Sequence, residues 1–284
     1  MITIENEYFS IRQICESGQC FRLELLEETE DQDGKVIRKY GLPAFGKYLE
    51  ISQCGRRVNL FCSQEEFDSV WKDYFDLAED YGSLIASIDP ADAYLCRAAA
   101  FGSGIRILRQ ELWEMIISFI ISQQNNIKRI RRCIDLLCRR YGVGQKTPKG
   151  NSYFTFPVPE ALMAARLEDL YACNLGYRSR YVKDTACAVF QGEVDLGAIG
   201  GMDHKGAVEE LRKLSGVGEK VANCICLFAL HQTDAFPVDT HINKVLREQY
   251  PEGFPFEKYP GYEGSLQQYI FYYDLMNGKK QQGE

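Results

Sequence analysis

The chain of 284 residues is 45% hydrophobic and 26% charged, the make-up of an ordinary globular protein long enough for one large domain or two. Its formal charge of −7 argues against a protein that grips nucleic acid over its whole surface, but leaves room for one local basic face. The longest apolar stretch, Met115 to Ile121 interrupted by Ser118, is too short to span a membrane, and the start lacks the basic and apolar regions of an export signal.

In chain order, the first 62 residues read as β-structure. Phe21, Leu23 and Leu25 alternate with Arg22 and Glu24, and Val58, Leu60 and Cys62 alternate in the same way. Asp31 to Gly34 is a turn signal between two such runs. Ser63-Gln-Glu-Glu66 is a capping box, and Phe67, Val70, Trp71, Tyr74 and Phe75 then recur as the stripe of an amphipathic helix. From about Ala91 the chain reads as helical to its end. Leu108 to Ile121 is apolar nearly all round, which predicts a central buried helix. Asn126 to Tyr141 is an amphipathic helix with arginines on its open face. Lys128, Arg129, Arg131, Arg132, Arg139 and Arg140 make it the basic region, with Lys146 and Lys149 just beyond. Residues 146 to 159, with three prolines, predict a loop. Helices are expected over 159–173, 179–190, 205–214, 219–230, 239–247 and 264–275. The pattern is α+β: a small N-terminal antiparallel β-domain with one or two helices (residues 1–95) and an all-helical region (residues 96–284).

Eleven cysteines show no C-x-x-C pair and no zinc pattern, and read as reduced thiols, mostly small core residues. The last 58 residues contain none, which argues against an iron–sulfur cluster.

The chemistry concentrates in Leu214-Ser-Gly-Val-Gly-Glu-Lys220, followed by Pro237-Val-Asp-Thr-His241. This predicts a helix, a tight glycine turn and a second helix whose free N–H groups invite an anion such as a phosphate. Lys220 on that helix start could be a surface charge or an amine nucleophile. A nucleophilic lysine must be neutral, so its pKa has to fall from about 10.4 toward roughly 7–8. Asp239 reads as an N-cap, a role compatible with a carboxylate pointing off the helix end into a cleft.

Six motifs in order carry a resemblance over nearly the whole chain: Ser17-Gly-Gln-Cys-Phe-Arg22, Ser122-Gln-Gln-Asn-Asn-Ile-Lys-Arg129, Leu175-Gly-Tyr-Arg178, Lys220-Val-Ala-Asn-Cys-Ile-Cys226, Val238-Asp-Thr-His241 and Gln267-Gln-Tyr-Ile-Phe271. Together with the hairpin (about 205–230), they resemble the 8-oxoguanine branch of the helix-hairpin-helix Gly/Pro…Asp DNA glycosylases. The resemblance implies a bifunctional glycosylase and AP lyase that excises 8-oxoguanine, preferably opposite cytosine, from flipped-out nucleotides of duplex DNA. It implies that Lys220 attacks C1′ and forms a Schiff base, and that Asp239 stabilises the positive sugar. Gly18 would offer a carbonyl to the lesion's N7 hydrogen. Phe271 and Cys224 would sandwich the purine, and Gln267 would read its Watson–Crick edge, beside Pro237. Arg129, Arg178, Tyr177 and Gln124 would read the orphaned cytosine. Gln124 stands where the family has asparagine, so the cytosine preference is open to relaxation. Arg129 could instead be one more phosphate-facing charge of the basic run.

For the DNA backbone, the resemblance implies contacts from Gly216, Val217, Gly218 and His241; His241 could instead simply cap its helix. Carbonyls of Arg212, Leu214 and Val217 would hold a bridging structural cation. No cofactor is expected for the chemistry. A monomer is expected, in the cytoplasm or nucleoid of a bacterium or the nucleus of a eukaryote. Two alternatives remain on sequence grounds: a glycosylase for another damaged base, and a non-catalytic helix-hairpin-helix module that only binds DNA. The pairing of Lys220 with Asp239 counts against the second, since gripping phosphate needs neither.

Overall fold

The computed structural model describes residues 1–147 and 149–282, with side chains described to residue 278. Pro148, within the expected 146–159 loop, and residues 283–284, at the end of the helical region, lie outside the described residues.

The N-terminal part is a five-stranded antiparallel sheet: β1 (Ile2–Glu5), β2 (Glu24–Glu30), β3 (Val36–Ala44), β4 (Lys47–Cys54) and β5 (Arg57–Phe61), in the order β1-β5-β4-β3-β2. The expected turn joins β2 to β3, with Asp31 accepting from the backbone of Asp33 and Lys35. The β3–β4 register pairs Leu42 with Leu49 and Tyr40 with Ile51. This places one set of alternating residues under the sheet, where they pack with Trp71 and Phe75.

Three local readings are corrected. A short helix, Ile11–Glu16, interrupts the β-run, capped by Ser10; at six residues it shows no periodicity that would reveal it. The stripe after Ser63 does start on the Ser63 cap, but residues 67–71 widen into a π-turn that turns Trp71 into the core. The expected proline-rich loop carries a two-stranded hairpin, Gly144–Lys146 with Ser152–Phe154.

The helical part follows the predicted order with shifted ends: Leu112–Ser122, Ile127–Tyr141, Arg178–Phe190, His204–Leu211, Glu219–Phe228, Thr240–Gln249 and Glu263–Gln282. Leu112–Ser122 is buried from Glu114 to Ile121, as its composition dictates. Residues expected as one helix from 159 to 173 form two short ones, Pro159–Ala164 and Leu167–Ala172.

Three cores result. One lies under the sheet. A second joins the helices from Leu112 to Phe228. A third packs residues 81–105 against the last two helices, so an early segment closes on the chain's end. A buried ion pair, Arg22 Nη1 to Glu114 Oε2 at 3.1 Å, ties the β-domain to the central helix.

Candidate active site

Four elements deliver the site. The hairpin connects His204–Leu211 to Glu219–Phe228. The Val217 N–H closes the turn on the Leu214 carbonyl at 3.1 Å. Gly216 has φ +80, and a Cβ there would stand 2.6 Å from the Tyr181 ring, so both backbone conformation and close packing require glycine. Gly218 then caps the second helix and faces open space. Of the expected phosphate donors, Val217 thus has its N–H engaged within the turn.

Lys220 sits on the first turn of Glu219–Phe228, half-buried, its Nζ 5.8 Å from the centre of the Phe119 ring. One turn on, Cys224 is buried beside the amine. The expected fall in the lysine's pKa is not what this structure provides. Cys224 pushes the ammonium above its ordinary value, and the Asp239 carboxylate adds to that push, while burial opposes both. The Cys224 thiol is itself pushed up by burial. The sequence showed the burial and the helix end, but not the two neighbours that outweigh them.

Asp239 is the N-cap of Thr240–Gln249, its Oδ1 accepting from the Ile242 N–H at 2.9 Å. His241 follows on that helix. Its Nδ1 lies 2.7 Å from Asp274 Oδ2, and its ring meets Phe271 edge-on at 5.5 Å. Lys244 holds the other Asp274 oxygen.

The closing helix, Glu263–Gln282, contributes Gln267 and Phe271. Gln267 is buried, donating Nε2 to the Pro237 carbonyl at 2.9 Å and accepting from Gln268 at 3.1 Å. The β-domain contributes Gly18, at φ +75. A Cβ there would come within 3.3 Å of the Phe271 ring, so the ring lies directly over this glycine. The turn is pinned from below: buried Gln19 donates to Ser17 and accepts from the Leu108 N–H, and its carbonyl accepts from Gln110.

Gly18, Lys220, Cys224, Pro237, Asp239, Gln267 and Phe271 therefore line one cavity of about 50 Å³, together with Ser17, Phe119, Phe228 and Gln268. This is room for a few waters and not for a purine, so a base can enter only if the walls part. A larger cavity, about 640 Å³, lies between the sheet and the closing helix near Arg12, Arg38 and Tyr272, and contains none of these residues.

The residues expected at the partner base lie apart from that cavity. Tyr177 is exposed, and Arg129 is exposed on the Ile127–Tyr141 helix start. Arg178 is buried, stacked on Tyr177 at 4.5 Å, with its guanidinium on the carbonyls of Gln123, Gln124 and Leu175. These bonds brace the turn. Gln124 has φ +47, a left-handed conformation that asparagine tolerates better than glutamine.

Sequence reasoning missed Phe119, whose ring stacks on Phe228 at 5.6 Å beneath the amine. It also missed Gln19, Gln268 and Asp274. Their only signal is a polar residue inside an otherwise apolar or glycine-marked motif.

Comparison with known proteins places this geometry. Residues 1–116 match the 8-oxoguanine DNA glycosylase N-terminal domain, and residues 117–252 match the HhH-GPD superfamily of base excision DNA repair proteins. The fold superimposes on the 8-oxoguanine glycosylase/lyase of Clostridium acetobutylicum, solved with double-stranded DNA containing cytosine opposite 8-oxoguanine. The TM-score is 0.85 at 34% identity, covering 98% of this chain and 99% of that one. A probable N-glycosylase/DNA lyase of Methanothermobacter thermautotrophicus is 30% identical over 237 residues, 76% of this chain and 71% of the relative. The N-glycosylase/DNA lyase of Saccharomyces cerevisiae is 28% identical over 257 residues; the match takes in 86% of this chain and 63% of the yeast protein's length. The chain belongs to the 8-oxoguanine DNA glycosylase family of the HhH-GPD base excision repair superfamily.

Proposed function

We propose that this protein is a bifunctional DNA glycosylase/AP lyase that excises 8-oxoguanine from duplex DNA, preferably opposite cytosine. The observation that carries the reading is the shared cavity: an amine on a helix start, a capped carboxylate, a left-handed glycine and an aromatic ring all line it.

The chemistry follows from those groups. The flipped nucleotide enters between Phe271 and Cys224. The Gly18 carbonyl accepts the N7 hydrogen that 8-oxoguanine has and guanine lacks. Neutral Lys220 attacks C1′ as the bond to the base breaks and the departing base takes up a proton. Asp239, fixed at its helix cap, faces the positive charge that develops on the sugar. The opened sugar and Lys220 form a Schiff base, and loss of a C2′ proton expels the 3′ phosphate. Since the free protein holds Lys220 as ammonium, its proton must leave when the nucleotide fills the cavity and excludes water.

On the partner strand, Tyr177 wedges while Arg129, Arg178 and Gln124 read the orphaned base; Arg178 must first leave its carbonyls. Gly216, Gly218 and His241 are assigned to phosphates, with Val217 as turn former. The Arg212, Leu214 and Val217 carbonyls are hard oxygen donors suited to a monovalent or alkaline-earth cation, which would brace the hairpin against phosphate. No cofactor is assigned to the reaction; among the described residues no cluster of three or more His, Cys, Asp or Glu is placed to hold a metal. Among the same residues no helix is long and apolar enough to cross a membrane. We assign the protein to the compartment that holds DNA, acting as a monomer.

The test is borohydride trapping on 8-oxoguanine duplex. The wild-type protein should give a covalent complex, and Lys220→Gln should give none while still binding. Full trapping in that variant would remove Lys220 as the nucleophile.

A further inference from the structure

The geometry points to Gln268 as a second reader of the damaged base, whose amide oxygen accepts an N–H of the guanine-type edge. This rests on the reading of the cavity as the lesion pocket. The argument starts at Pro237. Its carbonyl can only accept, so the end of Gln267 facing it at 2.9 Å must be the amide nitrogen. That turns Gln267 Oε1 toward Gln268, and an oxygen there requires a donor. Gln268 therefore presents Nε2, at 3.1 Å. The order of atoms along the two amides is fixed by one carbonyl, and Gln268 Oε1 is left at the end of the row.

That last oxygen is buried and has no hydrogen-bond partner. The residue as a whole is only 3% exposed, yet it lines the same cavity as Lys220, Asp239 and Gly18. An unpartnered acceptor in a protein interior is unfavourable, and an apolar side chain of similar length would fill the place without that cost. The cavity is too small for a purine until its walls part, and parting them brings this oxygen to the incoming edge. A guanine-type edge carries two kinds of donor, the ring N1–H and the exocyclic amine. An adenine-type edge carries an acceptor at N1 and its donor on the 6-amine. An acceptor facing the ring nitrogen therefore favours the first and repels the second. Gln267 is poorly placed to do this alone, because one end of its amide is engaged with Pro237 and the other with Gln268. Gln268 has two effects: it orients the Gln267 amide and adds an acceptor of its own.

The experiment uses the full chain with Gln268→Met, which keeps length and removes both polar ends. Two single-turnover rates are compared on identical duplexes, one with 8-oxoguanine and one with a preformed abasic site. The abasic site needs Lys220 and the DNA grip but has no base to read. The expected result is a loss of about 10- to 100-fold in base excision with abasic-site cleavage unchanged within about twofold. A parallel fall in both rates would overturn the proposal and make Gln268 a packing residue. Unchanged excision would overturn it as well. Failure of the wild-type protein to excise 8-oxoguanine at all would overturn the lesion assignment, and this inference with it.

Discussion

Gln123 donates its side-chain amide to the carbonyl of Gly216 at 2.9 Å, joining two loops that lie 93 positions apart. Its own backbone carbonyl accepts from Arg178. The turn assigned to the partner base and the hairpin assigned to phosphate are thus one connected surface. Gln123→Leu should weaken binding of lesion duplex by about five- to thirtyfold, the equivalent of about 1–2 kcal/mol for a lost, partly buried hydrogen bond. Fluorescence anisotropy on labelled duplex measures it. A change within twofold would mean that each loop holds its place unaided.

Cys224 heads the influences that keep Lys220 protonated. The attacking amine must be neutral, so the rate falls as pH drops below the pKa the amine has once the nucleotide fills the cavity. Cys224→Ala removes the upward push, leaving burial against Asp239. The acid limb of the pH–rate profile should then move to lower pH. Cleavage of abasic duplex is the substrate of choice, because Cys224 also forms a wall for the base. A limb that stays in place, or moves to higher pH, would show that the thiol does not govern the amine.

Gly18→Ala carries two penalties at once. An alanine at φ +75 costs about 1–2 kcal/mol in backbone strain. Its methyl also presses on the Phe271 ring, 3.3 Å away. Excision of 8-oxoguanine should fall more than tenfold, since the carbonyl and the ring both move. Trapping on a preformed abasic site should survive. Equal loss on both substrates would place the damage in folding, which urea titration would register separately.

Arg22 and Glu114 test how the β-domain is held. Arg22→Met leaves Glu114 buried and unpaired, at a cost of about 3–5 kcal/mol near neutral pH. Burial already raises the Glu114 pKa even with its partner present. The folded state then holds a proton that the unfolded state releases, so stability falls as pH rises through the ordinary carboxyl range toward the raised value. The urea midpoint of Arg22→Met should therefore recover on going from pH 7.5 to pH 5. The double variant Arg22→Met, Glu114→Leu should restore most of the loss at both pH values. A pH-independent deficit would mean that the arginine acts through its contacts to Phe154 and Phe156 instead.

Local signals were the legible part of this chain. Ser63 and Asp239 cap the helices expected of them, because a cap is made within three residues. Lys220, Asp239, Gly18, Gln267 and Phe271 were named from motif order, and all of them line the cavity. The neighbours of those groups stayed hidden. Phe119 under the amine, Gln19 beneath the glycine turn and Gln268 beside Gln267 get their meaning from contacts across the fold. Periodicity reports only that such residues face inward. The raised Lys220 pKa belongs to the same class, since burial can be guessed from a sequence but the positions of Cys224 and Asp239 around the amine cannot. The hairpin at residues 144–154 escaped for the opposite reason: its strands are three residues long and embedded among turn formers.

Lys220 is anchored in the core that runs from Leu112 to Phe228, while Asp239 opens a helix rooted in the core that closes on the chain's end. Among the described residues, amine and carboxylate thus stand on two different apolar clusters that meet at one cavity. Their spacing is set by how those clusters seat against each other, so a substitution in either interior, far from the cavity wall, reaches the chemistry.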